Sequence, residues 1–205
     1  LAAYGQMHRE KITAALDTIQ APAEYFSKEL TIVDWGCGQG LATICFFDYL
    51  HTFGFPLKVN KVILVEPSRP AINRAVAHVS KYISADHIQP VNKYINDVTP
   101  ADISHVSETL TVHFFSNILD IPSVNLEFLS DLIQGSFQGE QLLFCVGPQN
   151  IGSSRIAEFA QQFDISDEDL IGESTGRLST RGTISMMVFH IKSSVLEIIK
   201  VEYYR

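Results

Sequence analysis

The sequence predicts an α/β protein: a seven-stranded, mostly parallel sheet with helices on both faces and a C-terminal antiparallel hairpin. Three observations carry the prediction. Short apolar runs alternate with segments of helical periodicity along most of the chain, the pattern of a parallel sheet covered by helices. Several runs, such as Lys61-Val62-Ile63-Leu64-Val65, are apolar at successive positions, as a strand buried between two helical layers must be. The first run, Thr31-Ile32-Val33-Asp34-Trp35, stops at the cluster Gly36-Cys37-Gly38-Gln39-Gly40, and helical spacing begins at once with Leu41 and Ile44. Glycine permits a sharp turn or the close approach of a ligand, and the turn aims a helix N-terminus at whatever sits above the sheet.

Taken in order, Tyr4 to Ile19 form a helix with Met7, Ile12, Ala15, Leu16 and Ile19 on one face, ended by Ala21-Pro22. On its other positions Tyr4 and His8 read as surface or packing residues. The glycine turn and its helix lead to the second strand, which ends in the carboxylate of Glu66. Ser68 to Ile83 make the next helix, with Ile72, Val76 and Val79 buried. A short third strand lies within Ile88 to Asn96 and closes at Asn96-Asp97. Leu110 to Phe115 are the fourth strand, from which Ser116-Asn117-Ile118-Leu119-Asp120-Ile121-Pro122 run toward a helix over Val124 to Ile133. His113 and Cys145 fall within strands and read as a hydrogen-bonded core histidine and a buried thiol. The fifth strand is Gln141 to Val146, followed by a helix over Ile151 to Phe163. Gly172 to Gly182 form a polar, glycine-rich loop. The strands Ile184 to Ile191 and Val195 to Tyr203 then pair around a Lys192-Ser193-Ser194 turn.

Composition sets the outer limits. A chain of 205 residues, 46% hydrophobic and 19% charged, suits one soluble domain over residues 1–205 with a sizeable core. No apolar run is long enough for a membrane helix, and the N-terminus lacks a signal-peptide layout. Leu rather than Met at position 1 is compatible with a domain excised from a longer chain. Cys37, Cys45 and Cys145 are odd in number and lie in apolar surroundings, which argues against a disulfide framework or zinc site and for a reducing cytoplasm. A formal charge of −8 disfavours a broad nucleic-acid footprint and favours a small molecule or protein as partner, with no membrane involved.

The spacing in the glycine turn discriminates among nucleotide-like ligands. A dinucleotide fingerprint needs a small residue where Leu41 stands, and a phosphate-binding P-loop needs a Lys-Ser or Lys-Thr pair that is absent. What fits is Asp-x-Gly-x-Gly-x-Gly, and from Asp34 to Gly40 the chain resembles the Rossmann-like class I S-adenosylmethionine-dependent methyltransferases. The resemblance implies a cofactor, S-adenosylmethionine, held by Asp34, Gly36, Cys37, Gly38 and Gly40. It assigns Glu66 to the ribose hydroxyls, which a carboxylate can bind as a double acceptor. Helix capping is the alternative reading of Glu66. It assigns Asn96 and Asp97 to the adenine, with turn formation as the alternative. Ser116, Asn117 and Asp120 then lie where the family meets methyl donor and acceptor, Ser116 on the cofactor and Asn117 and Asp120 as catalytic candidates, against capping and turn roles. Arg177 in the late loop is a further acceptor-side candidate, and helices before the first strand often form a lid, which singles out Tyr4 and His8. Neither the signature of amino-methylating DNA enzymes nor a Pro-Cys pair for attack on a pyrimidine is present. The implied reaction is direct methyl transfer to an in-line nucleophile, which rests on positioning and electrostatics. Two alternatives stay open: a non-catalytic cofactor-binding scaffold and an NAD-dependent oxidoreductase.

Overall fold

The computed structural model describes residues 2–103, 109–148, 151–165, 167–177 and 183–192. Its strands are β1 (Leu30–Trp35), β2 (Val59–Val65), β3 (Ile88–Val91), β4 (Leu110–Ser116), β5 (Gln141–Gly147), β6 (Leu170–Arg177) and β7 (Thr183–Ile191). They form one sheet in the order β3-β2-β1-β4-β5-β7-β6. The first five run parallel, β7 runs antiparallel to β5, and β6 runs antiparallel to β7. The chain leaves β1 toward β2 and β3 on one side and returns to β4 on the other. That reversal opens a crevice at the carboxyl ends of β1 and β4, the usual ligand position in open α/β sheets.

Helices α1 (Ala2–Leu16), α2 (Pro22–Phe26), α3 (Leu41–Thr52) and α4 (Arg69–Val79) cover one face; α5 (Pro100–Ile103), α6 (Leu126–Ser136) and α7 (Ile151–Ala160) cover the other. Side chains alternate between the faces along each strand, so adjacent strand residues enter different cores. Ile32, Phe114 and Phe144 pack with Ile12, Phe46 and Ile72, whereas Val33, Phe115 and Cys145 pack with Leu129, Ile133 and Phe159. This is why the central strands read as apolar throughout. His113 lies in the second core beside Trp35, whose indole donates to Nδ1 at 3.2 Å. With Nδ1 accepting, Nε2 carries the proton and donates to Gln141 Oε1 at 3.1 Å. Burial holds the pKa of His113 down, to about 3, so the ring is neutral.

The late chain departs from the expected layout. Residues 172–177 belong to strand β6 rather than to a loop, and β6 is the partner of β7. The reason is positional: β6 is the sheet edge, where a strand needs few apolar residues to be held, and its polar, glycine-rich composition hides it. A register shift between Leu170 and Gly172 accompanies close packing on Thr18, whose Cβ would lie 2.7 Å from a Cβ added at Gly172. The proposed turn at Lys192-Ser193-Ser194 and the strand Val195 to Tyr203 lie largely outside the described residues. Near the start, the first helix ends at Leu16 rather than Ile19, and Pro22 begins α2 instead of merely ending α1, since proline suits a first helical turn.

Candidate ligand-binding site

The turn between β1 and α3 is held by backbone geometry. Gly36, Gly38 and Gly40 all have positive φ, at 65°, 54° and 80°. A Cβ at Gly40 would lie 3.3 Å from the Cα of Ala75 on α4, and one at Gly36 would lie 2.7 Å from Ile118 Cδ1. A Cβ at Gly38 would meet nothing within 4 Å, so this glycine faces open space. Asp34 sits below the turn, where its Oδ2 accepts from Thr43 Oγ1 at 2.8 Å and Thr43 N at 3.3 Å. It therefore anchors the first turn of α3. Burial raises its carboxyl to about pKa 6 against the opposing effect of the Thr43 bonds. Cys37 is buried in the same turn, and burial pushes its thiol well up, which makes it a poor nucleophile.

Glu66 bridges the turns after β1 and β2. Its Oε2 accepts from Gly38 N at 3.1 Å and its Oε1 from Ser68 N at 2.8 Å. A carboxylate offers about four lone-pair sites, so both oxygens keep capacity for a further donor. Glu66 lines a cleft of about 300 Å³ with Gly36, Tyr94, Ile95, Asn96, Ile118 and Ile121. A larger cavity of about 940 Å³ opens on the other side of the turn, lined by Gly5 and His8 of α1, by Asp34, Gly36, Cys37, Gly38, Leu41 and Ser116, by His78 of α4 and by Tyr82 just after that helix. Gly36 lines both, so the two cavities meet at the turn.

The remaining anticipated residues divide. Asn96 borders the cleft, but its amide is used internally: Nδ2 donates to Ser123 O at 2.7 Å and Oδ1 accepts from Asn125 N at 3.0 Å, tying the turn after β3 to the start of α6. Asp97 is exposed and lines neither cavity. Ser116 faces the larger cavity. Asn117 and Asp120 line neither cavity, and the segment that carries Asp120 is clamped by Arg155 of α7, which donates to Leu119 O at 2.5 Å and Val124 O at 2.7 Å. Arg177 stands at the end of β6.

Sequence reading missed the polar group that α1 brings to the end of β4. Lys11, only 2% exposed, donates to Asn117 Oδ1 at 2.9 Å, and the Asn117 amide meets His8 Nδ1 at 2.7 Å. Asp120 acts on both basic groups through space, and its Oδ1 is buried without a hydrogen-bond partner. Burial lowers the pKa of His8 and of Lys11; Asp120 opposes this in each case. One signal was available. Lys11 falls four residues after Met7 and four before Ala15, on the stripe expected to be buried. Among the described residues no cluster could hold a metal ion, and no helix is long and apolar enough to cross a membrane.

No family model matches the sequence, and no curated protein does. Solved structures do match in fold. A crystal structure described as a methyltransferase, from Pseudomonas syringae, is 11% identical with a TM-score of 0.58, over 91% of this chain and 99% of that one. An rRNA methylase from Streptococcus thermophilus is 12% identical with a TM-score of 0.54, over 89% and 97%. Precorrin 8w decarboxylase from Methanobacterium thermoautotrophicum is 12% identical with a TM-score of 0.51, over 79% and 82%. Such low identities speak to architecture alone. With its strand order and terminal antiparallel pair, the chain has the Rossmann-like fold of the class I methyltransferases.

Proposed function

We propose that the protein is an S-adenosylmethionine-dependent methyltransferase whose acceptor is not identified. The observation that carries this reading is the glycine turn joined to Glu66, with a cavity on either side of Gly36. Adenosine suits the smaller cleft, where Ile95, Ile118 and Ile121 offer an apolar slot for a flat base and Glu66 offers acceptors for a ribose diol. Tyr94 and Asn96 rim that end, with Asn96 acting through the turn it holds and Asp97 next to it in that turn, outside the cleft. The amino-acid end suits the larger cavity, against the turn of Gly36, Cys37, Gly38 and Gly40 that Asp34 braces. When bound, the cofactor supplies an electrophilic methyl group on sulfur. The protein's part is to hold the nucleophile in line and to exclude water, with Ser116 on the larger cavity, Asn117 and Asp120 behind it after β4, and Arg177 a candidate from the late strand. Structural neighbours include an rRNA methylase, so RNA stands beside a small molecule or a protein as an acceptor class. A cytoplasmic setting fits the reduced cysteines.

Calorimetry tests this directly. S-adenosylhomocysteine should bind and NAD should not; tighter binding of NAD would overturn the reading. Glu66→Ala should weaken S-adenosylhomocysteine by about 1.5 to 3 kcal/mol, the range for hydrogen bonds to a charged group, with the domain still folded by circular dichroism. Cofactor binding without label transfer to protein, RNA, DNA or metabolites would instead favour a binding scaffold.

A further inference from the structure

Asn117 follows β4 in the left-handed region, with φ 56°, and its side chain meets three partners: Lys11 Nζ at 2.9 Å, His8 Nδ1 at 2.7 Å and Ser116 Oγ at 3.2 Å. An ammonium only donates, so the amide must turn its oxygen to Lys11. Both amide hydrogens are then directed elsewhere, one to the His8 ring and one to the Ser116 hydroxyl. A ring nitrogen that accepts carries no proton, which puts the proton of neutral His8 on Nε2. A hydroxyl that accepts retains its own hydrogen to give away. His8 and Ser116 both line the larger cavity beside Gly36 and Cys37, whereas Lys11 is buried and Asn117 lies behind them.

We propose that Lys11 and Asn117 are positioning residues that make His8 and Ser116 a pair of hydrogen-bond donors, and that the group bound at this end of the cavity is an oxygen acceptor, a carboxylate or a carbonyl. The functional meaning rests on the methyl-transfer reading; the proton placement does not. His8 is then unsuited to remove a proton from the nucleophile, because the nitrogen that could accept one is taken by Asn117. Among the charged groups that act on His8 are Lys11 from its own helix and Asp120 from the segment after β4; burial together with Lys11 lowers its pKa, which favours the neutral ring, and Asp120 opposes this.

Two sources could supply the oxygen: the amino-acid carboxylate of the methyl donor, or the methyl acceptor. Long-range proton–nitrogen NMR on the full chain labelled at histidine tests the proposal. His8 should show Nε2 protonated and Nδ1 bare. In Asn117→Asp the carboxylate accepts from both sides, so the proton should move to Nδ1; Lys11→Met, which frees the amide to rotate, should give a mixture of the two forms. A wild-type His8 protonated on Nδ1, or a tautomer unchanged in both variants, overturns the proposal. Titration then separates the sources. If the His8 Nε2 signal moves with S-adenosylhomocysteine but not with 5′-methylthioadenosine, which lacks the amino-acid part, the oxygen is the donor's carboxylate. If it moves with neither while S-adenosylhomocysteine binds, acetate and acetamide are titrated into that complex: movement assigns the oxygen to the acceptor, and no movement overturns the proposal. An equal movement with both overturns the assignment to a carboxylate or carbonyl. Failure of S-adenosylhomocysteine to bind at all would remove the methyl-transfer reading and leave the proton placement standing.

Discussion

The turn after β1 and the segment after β4 stand side by side at the carboxyl edge of the sheet, yet they are built in opposite ways. The first is local: the stretch from Leu30 to Gly40 contains its strand, its three positive-φ glycines and the carboxylate that anchors the helix after it. Its contribution is backbone shape. The second is assembled from side chains far apart in sequence, with Lys11 and Asn117 separated by 106 positions and Arg155 reaching in from α7. Its contribution is polar and electrostatic. The first region should therefore fail through sterics, the second through unsatisfied charge.

The largest effect is expected where backbone shape is most constrained. Gly40→Val would place a β-branched residue in the left-handed region and press on Ala75 of α4. Strain and overpacking together should cost about 3 kcal/mol, or about 6 to 12 °C in Tm for a domain of this size. Gly38→Ala has open space around its Cβ and should lose only about 1 kcal/mol of conformational strain. Equal losses at the two positions, measured by thermal melts, would show that contact with α4 does not matter.

An intermediate effect is expected at the end of β4. Asn117→Gly keeps the left-handed backbone unstrained and removes only the amide, so Lys11 loses its bond in a buried setting. The loss should be about 1 to 3 kcal/mol in urea unfolding. In a Lys11→Met background the same substitution should cost less, because no buried ammonium remains to be satisfied; simple additivity would show that the two residues are not coupled.

The smallest effect at neutral pH is also the one that sets the two regions against each other. His113 on β4 has its pKa held down, to about 3 from an ordinary 6.5, so between these values the unfolded chain binds a proton that the native state does not. Its contribution to stability is present above pH 6.5 and is lost as pH falls toward 3, by at most about 1.4 kcal/mol per pH unit. Asp34 in the glycine turn has its pKa raised, from 3.8 to about 6, so the native state holds the extra proton and stability from this group is lost as pH rises between those values. The two slopes oppose each other from about pH 4 to 6. Asp34→Asn keeps an oxygen for Thr43 and removes one slope, so its stability should fall more steeply than that of the wild type on acidification through this window. A parallel pair of curves, from urea titrations at each pH, would mean that Asp34 does not titrate there.

Much of the architecture is written locally. Successive apolar residues mark the central strands because both faces of the sheet are covered, and Asp34 with its three glycines specifies a turn that few other residues could form. Those are properties of neighbouring residues, so a single stretch suffices to read them. Edge strand β6 escaped because an edge has little need of apolar residues, and a polar stretch rich in glycine reads the same in a loop. Asn96 looked like a ligand residue from its place after β3, but folding brings Asn125 and the carbonyl of Ser123 against its amide and uses it there. Nor does anything near Asn117 in the chain announce that Lys11 and His8 will meet it. That group exists only because α1 packs back across the sheet edge, where burying an ammonium requires a partner that the end of β4 supplies.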